Sequence, residues 1–141
     1  MGGGSPSAFV VAIAATLLAC LGLVHDGAQM LRAKTRTTTL AHEAARAGAQ
    51  HLDADLLRTG TLALDRDEAR GAARDHARLA SAGAGANAQA GTNAAAAVDV
   101  VVSADEVTVT VTTTYRPTVL AVLGEVEIAS RATATAHTPT P

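Results

Sequence analysis

Histidine and acidic side chains are the first places to look for chemistry in this 141-residue chain. His42-Glu43 begins like the zinc-protease helix signature, but Arg46 stands where the second histidine of that signature belongs. Asp53 and Asp55 are close enough in sequence to chelate a cation, although a solvated loop is the simpler interpretation. The histidines show no metal-ligand spacing; they are His25, His42, His51, His76 and His137. We therefore predict no metal site, no cofactor site and no catalytic residue.

Patterns for other kinds of site are equally sparse. No serine lies in a nucleophile-elbow pattern, and the Gly-rich stretches lack the lysine and the strand-to-helix setting of a phosphate loop. The net charge is −2 and the arginines form no run, so nucleic acid is not a predicted partner. Phe9 and Tyr115 are the only aromatic residues, which argues against a small-molecule pocket or a base-stacking surface. Cys20 is the single cysteine, so no intrachain disulfide is possible.

The longest apolar run is a candidate membrane span, which would determine where the rest of the chain lies. Ala8 to Val24 carries no charge, and as a helix it would measure roughly 25 Å, at the short end of what crosses a bilayer core. His25 and Asp26 end the run at the expected depth of the lipid headgroups. A cleaved signal peptide is the alternative, but residues 1–7 lack its positive charge. A lipoprotein start at Cys20 is also conceivable, although apolar residues continue beyond it.

The chain divides into five parts on this basis. We predict a short tail at residues 1–7, a transmembrane helix at 8–24 and a helical extension at 25–51. A small α+β domain follows at 52–137, and a flexible tail ends the chain at 138–141.

Within the domain, the sequence predicts one more helix after a loop at residues 52–64. Asp65 and Glu68 have the spacing of a capping box at the start of that helix, and Gly83 is the predicted end. The small-residue stretch from Gly83 to Ala97 is interpreted as a flexible linker.

The last third of the chain changes to a period of two residues, which is typical of strands. Val98 to Ser103 and Val107 to Thr112 predict a hairpin, and Val126 to Ala134 predicts a third strand. An apolar plug is expected between them at Thr118 to Gly124. The fold class is therefore α+β, with a long N-terminal helix, a second helix and a small antiparallel sheet of about three strands.

A stripe of small residues follows the apolar run along the same helix. Gly27, Ala41, Ala45 and Gly48 form our candidate helix-packing interface, because small side chains let helix backbones approach closely. The competing interpretation is that alanine is common here and simply favours helix.

Two segments carry a family resemblance. Gly22 to Gly27 (GLVHDG) and Ala41 to Ala49 (AHEAARAGA) resemble the TadE/TadG-like pilus-assembly proteins of bacterial tight-adherence (Flp pilus) systems. The order of the later segments is similar too, beginning with the helix pattern at Asp65 to Ala73. The resemblance implies a pilin-like, non-catalytic, membrane-anchored protein with its C-terminal domain outside the cytoplasm. The implied partners are membrane lipid and other pilus or secretion-system subunits, possibly a second copy of itself.

Two features qualify this expectation. Pseudopilins cut by a prepilin peptidase have a glutamate five residues into the mature helix, and Phe9 occupies that position counted from Gly4, so an accessory subunit fits better than a shaft subunit. Arg32, Lys34 and Arg36 follow the span, and the positive-inside rule alone would place the C-terminal domain in the cytoplasm. A function of another class is a secreted or lipid-anchored binding module that uses the Val/Thr sheet.

Overall fold

The computed structural model describes residues 6–86, 97–117 and 124–136. Within these ranges the chain forms three helices and one antiparallel sheet of three strands, which confirms the predicted α+β class. The elements are α1 (Pro6–Gly48), α2 (Ala54–Arg58), α3 (Arg66–Ala86), β1 (Ala97–Val102), β2 (Glu106–Tyr115) and β3 (Val126–Thr135).

Helix α1 is one uninterrupted element of 43 residues, about 65 Å long at 1.5 Å per residue. It begins at Pro6, inside the predicted tail, where proline suits the first turn of a helix, and it ends at Gly48 instead of near residue 51. The apolar window in its first half has no buried residue, whereas its second half packs on α3, β2 and β3. The packed unit therefore includes residues 26–48 as well as the predicted domain.

The predicted loop at residues 52–64 contains a short helix, α2, so the loop prediction was wrong at this point. Asp53 caps α2, because its carboxylate Oδ1 accepts hydrogen bonds from the backbone N–H groups of Asp55 (2.9 Å) and Leu56 (3.0 Å). Gly60 follows with φ = +82°, a conformation that glycine adopts without the Cβ strain of other residues.

Only half of the predicted capping box forms at the start of α3. The Asp65 carboxylate accepts hydrogen bonds from the backbone N–H groups of Asp67 (3.1 Å) and Glu68 (3.0 Å). The backbone N–H of Asp65 donates to the carbonyl oxygen of His51 at 3.0 Å, not to the Glu68 side chain. A tertiary contact thus replaces the local one.

Helix α3 does not end at Gly83 as predicted but continues to Ala86. A glycine inside a helix costs only about 1 kcal/mol relative to alanine, and the neighbouring alanines have the highest helix propensity of all residues. The helix can therefore continue through Gly83. The rest of the predicted linker (87–96), the plug except for Gly124 (118–123) and the predicted tail (138–141) lie outside the described residues.

The sheet has the order β1-β2-β3, and residues 103–105 make the turn of the first hairpin. Alternate residues of β2 point toward the helices, and Val107, Val109 and Val111 are fully buried there. Helix α1 covers this face over β2 and β3, and α3 covers it over β1. The core consists mainly of alanine and valine: Ala41, Ala44, Ala45, Leu64, Ala69, Ala73, Ala77, Val100, Val102, Val107, Val109, Val111, Ala132 and Ala136.

Candidate functional site

The first half of α1 exposes large apolar side chains on every side of the helix. Phe9 is 69% exposed, Leu18 68% and Val24 68%, and the residues between them follow the same pattern. A helix that is apolar all round is stable in water only when it is buried, and the described chain provides nothing to bury it. Among the described residues α1 is the one helix long and apolar enough to be a candidate membrane span.

Within this apolar half, the hydroxyl of Thr16 forms its hydrogen bond inside the helix. The Thr16 hydroxyl donates to the carbonyl oxygen of Ala12 at 2.9 Å, a back-bond that removes an unpaired donor from an apolar setting. Cys20 is exposed and forms no disulfide. Neither Thr16 nor Cys20 therefore obstructs burial in lipid.

The predicted small-residue stripe is divided between two environments. Ala41 and Ala45 are completely buried in the core beneath the sheet and α3, and Gly48 is buried beside them. Gly27 is exposed, and a Cβ placed on it would meet no atom within 4 Å. Ala41, Ala45 and Gly48 thus pack closely against other parts of the same chain. Gly27 does not take part in this packing.

Gly48 marks the closest approach of α1 to α3. A Cβ at this position would lie 2.8 Å from the carbonyl oxygen of Ala69, 3.1 Å from a methyl of Val107 and 3.2 Å from the Cβ of Ala73. A backbone oxygen cannot move aside as a flexible side chain can. Any larger residue at Gly48 would therefore separate the two helices.

Nearer the apolar half of α1, the contact between α1 and the sheet becomes polar. The hydroxyls of Thr38 and Ser130 lie 3.0 Å apart and share a hydrogen bond. Lys34 extends its ammonium group to the carbonyl oxygen of Ala129 on β3. Directional bonds of this kind fix the register of the helix on the sheet in a way that alanine contacts alone do not.

At the point where α1 leaves the apolar segment, Asp26 is only 2% exposed. Tyr115, at the end of β2, is 3% exposed and packs with Ala33 and Ile128. Burial raises the pKa of the Tyr115 hydroxyl, and the negative charge of Asp26 raises it further. The Tyr115 hydroxyl has no hydrogen-bond partner among the described residues. An acidic group therefore acts electrostatically on a phenolic group where the domain begins.

The residues considered as cation ligands have structural partners. Asp53 caps α2, and Asp55 forms an ion pair with Arg58 at 2.7 Å. In residues 6–86, 97–117 and 124–136, no three His, Cys, Asp or Glu side chains come together in a way that could hold a metal ion.

Two histidines instead connect α1 and its continuation to α3. Nε2 of His76 lies 3.7 Å from a carboxylate oxygen of Glu43, and Nδ1 of His51 lies 3.5 Å from a carboxylate oxygen of Glu68. All four side chains are partly exposed, so water screens the His51–Glu68 pair. The Nε2 atom of His76 is itself buried and has no hydrogen-bond partner among the described residues. His42 belongs instead to an open groove of about 670 Å³ that is also lined by Arg46, Gln50 and Thr133.

The two faces of the sheet are unequal. The valine face is closed by α1 and α3. The opposite face carries threonines and a cross-strand row in which Asp99 is paired with Thr110 and Thr110 with Arg131. A polar, half-wet face is ordinary for an antiparallel sheet.

Asp26 and Tyr115 are the residues of this region that sequence reasoning missed. Asp26 looked like a hydrated residue at the end of the span, and nothing in the spacing indicated its burial. The available signal was Tyr115, the only tyrosine in the chain, placed at the end of the best strand pattern.

No curated protein and no solved structure matches the chain at a significant level. A family match does exist for the segment that contains the apolar half of α1, Asp26 and the small-residue stripe. Residues 2–51 match the sequence model of the Flp pilus-assembly TadE/G-like family, which confirms the predicted resemblance over that segment.

Proposed function

We propose that the chain is a non-catalytic, membrane-anchored accessory subunit of a bacterial Flp/Tad-type pilus or secretion apparatus. One observation carries this proposal. The helix that matches the pilus-assembly family is apolar and exposed in its first half, and it continues without a break into the core of a folded domain. Such a helix transmits position rigidly from the bilayer to the domain, as an assembly component requires.

Large apolar side chains outside the apolar half support contact with other subunits. Leu79 on α3 is 75% exposed and Leu31 on α1 is 71% exposed, although the core buries little larger than valine. A chain that is short of large apolar residues gains stability if it buries these two against a partner.

The helix-packing hypothesis takes a narrower form in this proposal. Ala41, Ala45 and Gly48 are occupied by contacts within the chain. Gly27 is open, lies near the membrane exit, and lets a second helix approach the backbone of α1. We assign Gly27 to the contact with another subunit or a second copy of the chain.

Photo-crosslinking in the native bacterium tests the assignment. A photoreactive amino acid replaces Leu31 or Leu79, and Arg74, which is exposed on α3, provides the control position on a charged part of that helix. We expect light-dependent adducts with pilus or secretion-system subunits, or with a second copy, from the leucine positions and fewer adducts from Arg74. Deletion of the gene should also reduce piliation. Normal piliation after deletion, together with no specific adduct, would contradict the proposal.

A further inference from the structure

The folded domain begins almost immediately after the apolar half of α1. Val24 is 68% exposed, whereas Asp26, two residues later, is 2% exposed. Two helical residues span only about 3 Å. The chain therefore has no spacer between the apolar segment and the domain.

The direction of β2 shows which end of the domain lies there. Val107, at its start, lies against Gly48 at the far end of α1. Tyr115, the last residue of β2, packs with Ala33, and the negative charge of Asp26 acts on its hydroxyl. Strand β2 thus runs from the far end of α1 back toward the apolar segment.

The other contacts between α1 and the sheet agree with this direction of β2. Helix α1 bonds to Thr113 through Thr37, and to Ala129 through Lys34, so the middle of α1 faces the second half of β2 and the first half of β3. The β1–β2 turn at residues 103–105 lies at the opposite end, where Ala104 accepts a hydrogen bond from Leu64 at 2.8 Å.

We propose that the end of the domain formed by Tyr115, Arg116, Glu125 and Val126 lies in the lipid headgroup layer, so that the domain is seated directly on the bilayer. This inference depends on the membrane anchoring in the proposed function. Headgroups occupy roughly 5–8 Å on each side of the hydrocarbon core, about the rise of the first turn of helix after Val24.

The charges at this end suit a lipid surface. Arg116 and Glu125 form an ion pair across the base of the β2–β3 connection and thereby neutralise each other. Arg32 and Arg36 are exposed on α1, about 12 and 18 Å beyond Val24 along the helix axis. Both are near enough for attraction to anionic headgroups, given a Debye length of about 8–10 Å in physiological salt.

Fluorescence quenching along β3 provides the test. In the full chain with Cys20→Ser, single cysteines are introduced as Glu127→Cys, Arg131→Cys or Thr135→Cys and labelled with a small fluorophore. These three residues are exposed on the same face of one strand, and the outer two are about 27 Å apart. The protein is reconstituted in phosphatidylcholine and phosphatidylglycerol vesicles that carry a spin label on the headgroup.

We expect quenching to be strong at position 127, weaker at 131 and least at 135, while circular dichroism shows the same helix content in all three. Equal, weak quenching in protein that floats with the vesicles would overturn this inference and leave the anchoring intact. Reversed order would place the opposite end on the bilayer and also overturn it. Failure to float with the vesicles would contradict both the anchoring and the seating.

Discussion

At the scale of single residues, Gly48 is the position where the geometry allows least change. Gly48→Ala places a methyl group 2.8 Å from the carbonyl oxygen of Ala69, and overpacking of this kind costs about 1–3 kcal/mol. We expect the unfolding free energy of the domain in detergent micelles to fall by that amount. Gly71→Ala is the matched control, because a Cβ there meets no atom within 4 Å; it should stabilise α3 by up to about 1 kcal/mol. Equal stability of the two variants would show that the α1–α3 contact is looser than described.

Tyr115 makes the stability of the domain sensitive to alkaline pH. Its pKa in the folded chain is raised by burial and then by Asp26, whereas its pKa in the unfolded chain is about 10. Above about pH 10 the unfolded chain therefore releases the phenolic proton more readily than the folded chain, and the unfolded state is favoured as pH rises. Below that pH both states are neutral at this group and the effect vanishes.

Tyr115→Phe is the variant that isolates this effect. The hydroxyl has no hydrogen-bond partner among the described residues, so its removal should change stability little at neutral pH. Denaturant unfolding across the alkaline range should show wild type losing stability faster than Tyr115→Phe above about pH 10. Parallel curves would mean that Tyr115 is more hydrated than its burial indicates.

At the scale of elements, Asp65 sets the start of α3. Its carboxylate accepts hydrogen bonds from two backbone N–H groups that the helix itself leaves unpaired. We expect Asp65→Ala to cost about 1 kcal/mol, typical of an N-cap, and to increase hydrogen exchange at Asp67 and Glu68. Asp75→Ala removes an exposed acid from the same helix and should leave both measurements unchanged.

Periodicity predicted the long elements well and the short one poorly. Helix α1 and the three strands repeat their pattern over many residues, so a few ambiguous positions do not obscure the signal. Helix α2 has five residues, which is fewer than two turns. A helical repeat of apolar residues cannot be recognised over so short a length. Its signal was the Asp53 cap, which the sequence also allowed as a cation ligand.

Contacts between distant segments account for the other differences. His51 supplies the carbonyl oxygen that accepts from the backbone N–H of Asp65, and no local pattern could indicate that Glu68 would lose its predicted role. The small-residue stripe predicted a helix-packing surface, but alanine spacing does not say which element covers it. The structure places α3 and the sheet over Ala41 and Ala45, because the chain turns back along α1 through residues 49–65, which include α2.

At the scale of the whole molecule, two arguments predict opposite sides of the membrane for the domain. Arg32 and Arg36 are exposed near the span and favour a cytoplasmic domain under the positive-inside rule. Lys34, the third basic residue, contacts the carbonyl oxygen of Ala129, so it belongs to the folded domain and counts less as a free juxtamembrane charge. The resemblance to the TadE/TadG-like proteins implies the outside, whereas the match over residues 2–51 carries no information about the side.

We predict that the domain lies outside the cytoplasm, and thiol labelling of intact cells decides the matter. Thr113 is a poor reporter position because its hydroxyl faces Thr37 on α1 at 3.4 Å. Asp105 is better, because it is exposed in the β1–β2 turn at the end of the domain farthest from the apolar segment. Asp105→Cys in a Cys20→Ser background should react with a membrane-impermeant maleimide on whole cells to the same extent as after lysis. Labelling that requires lysis would place the domain in the cytoplasm, and the basic residues after the span would then have determined the topology.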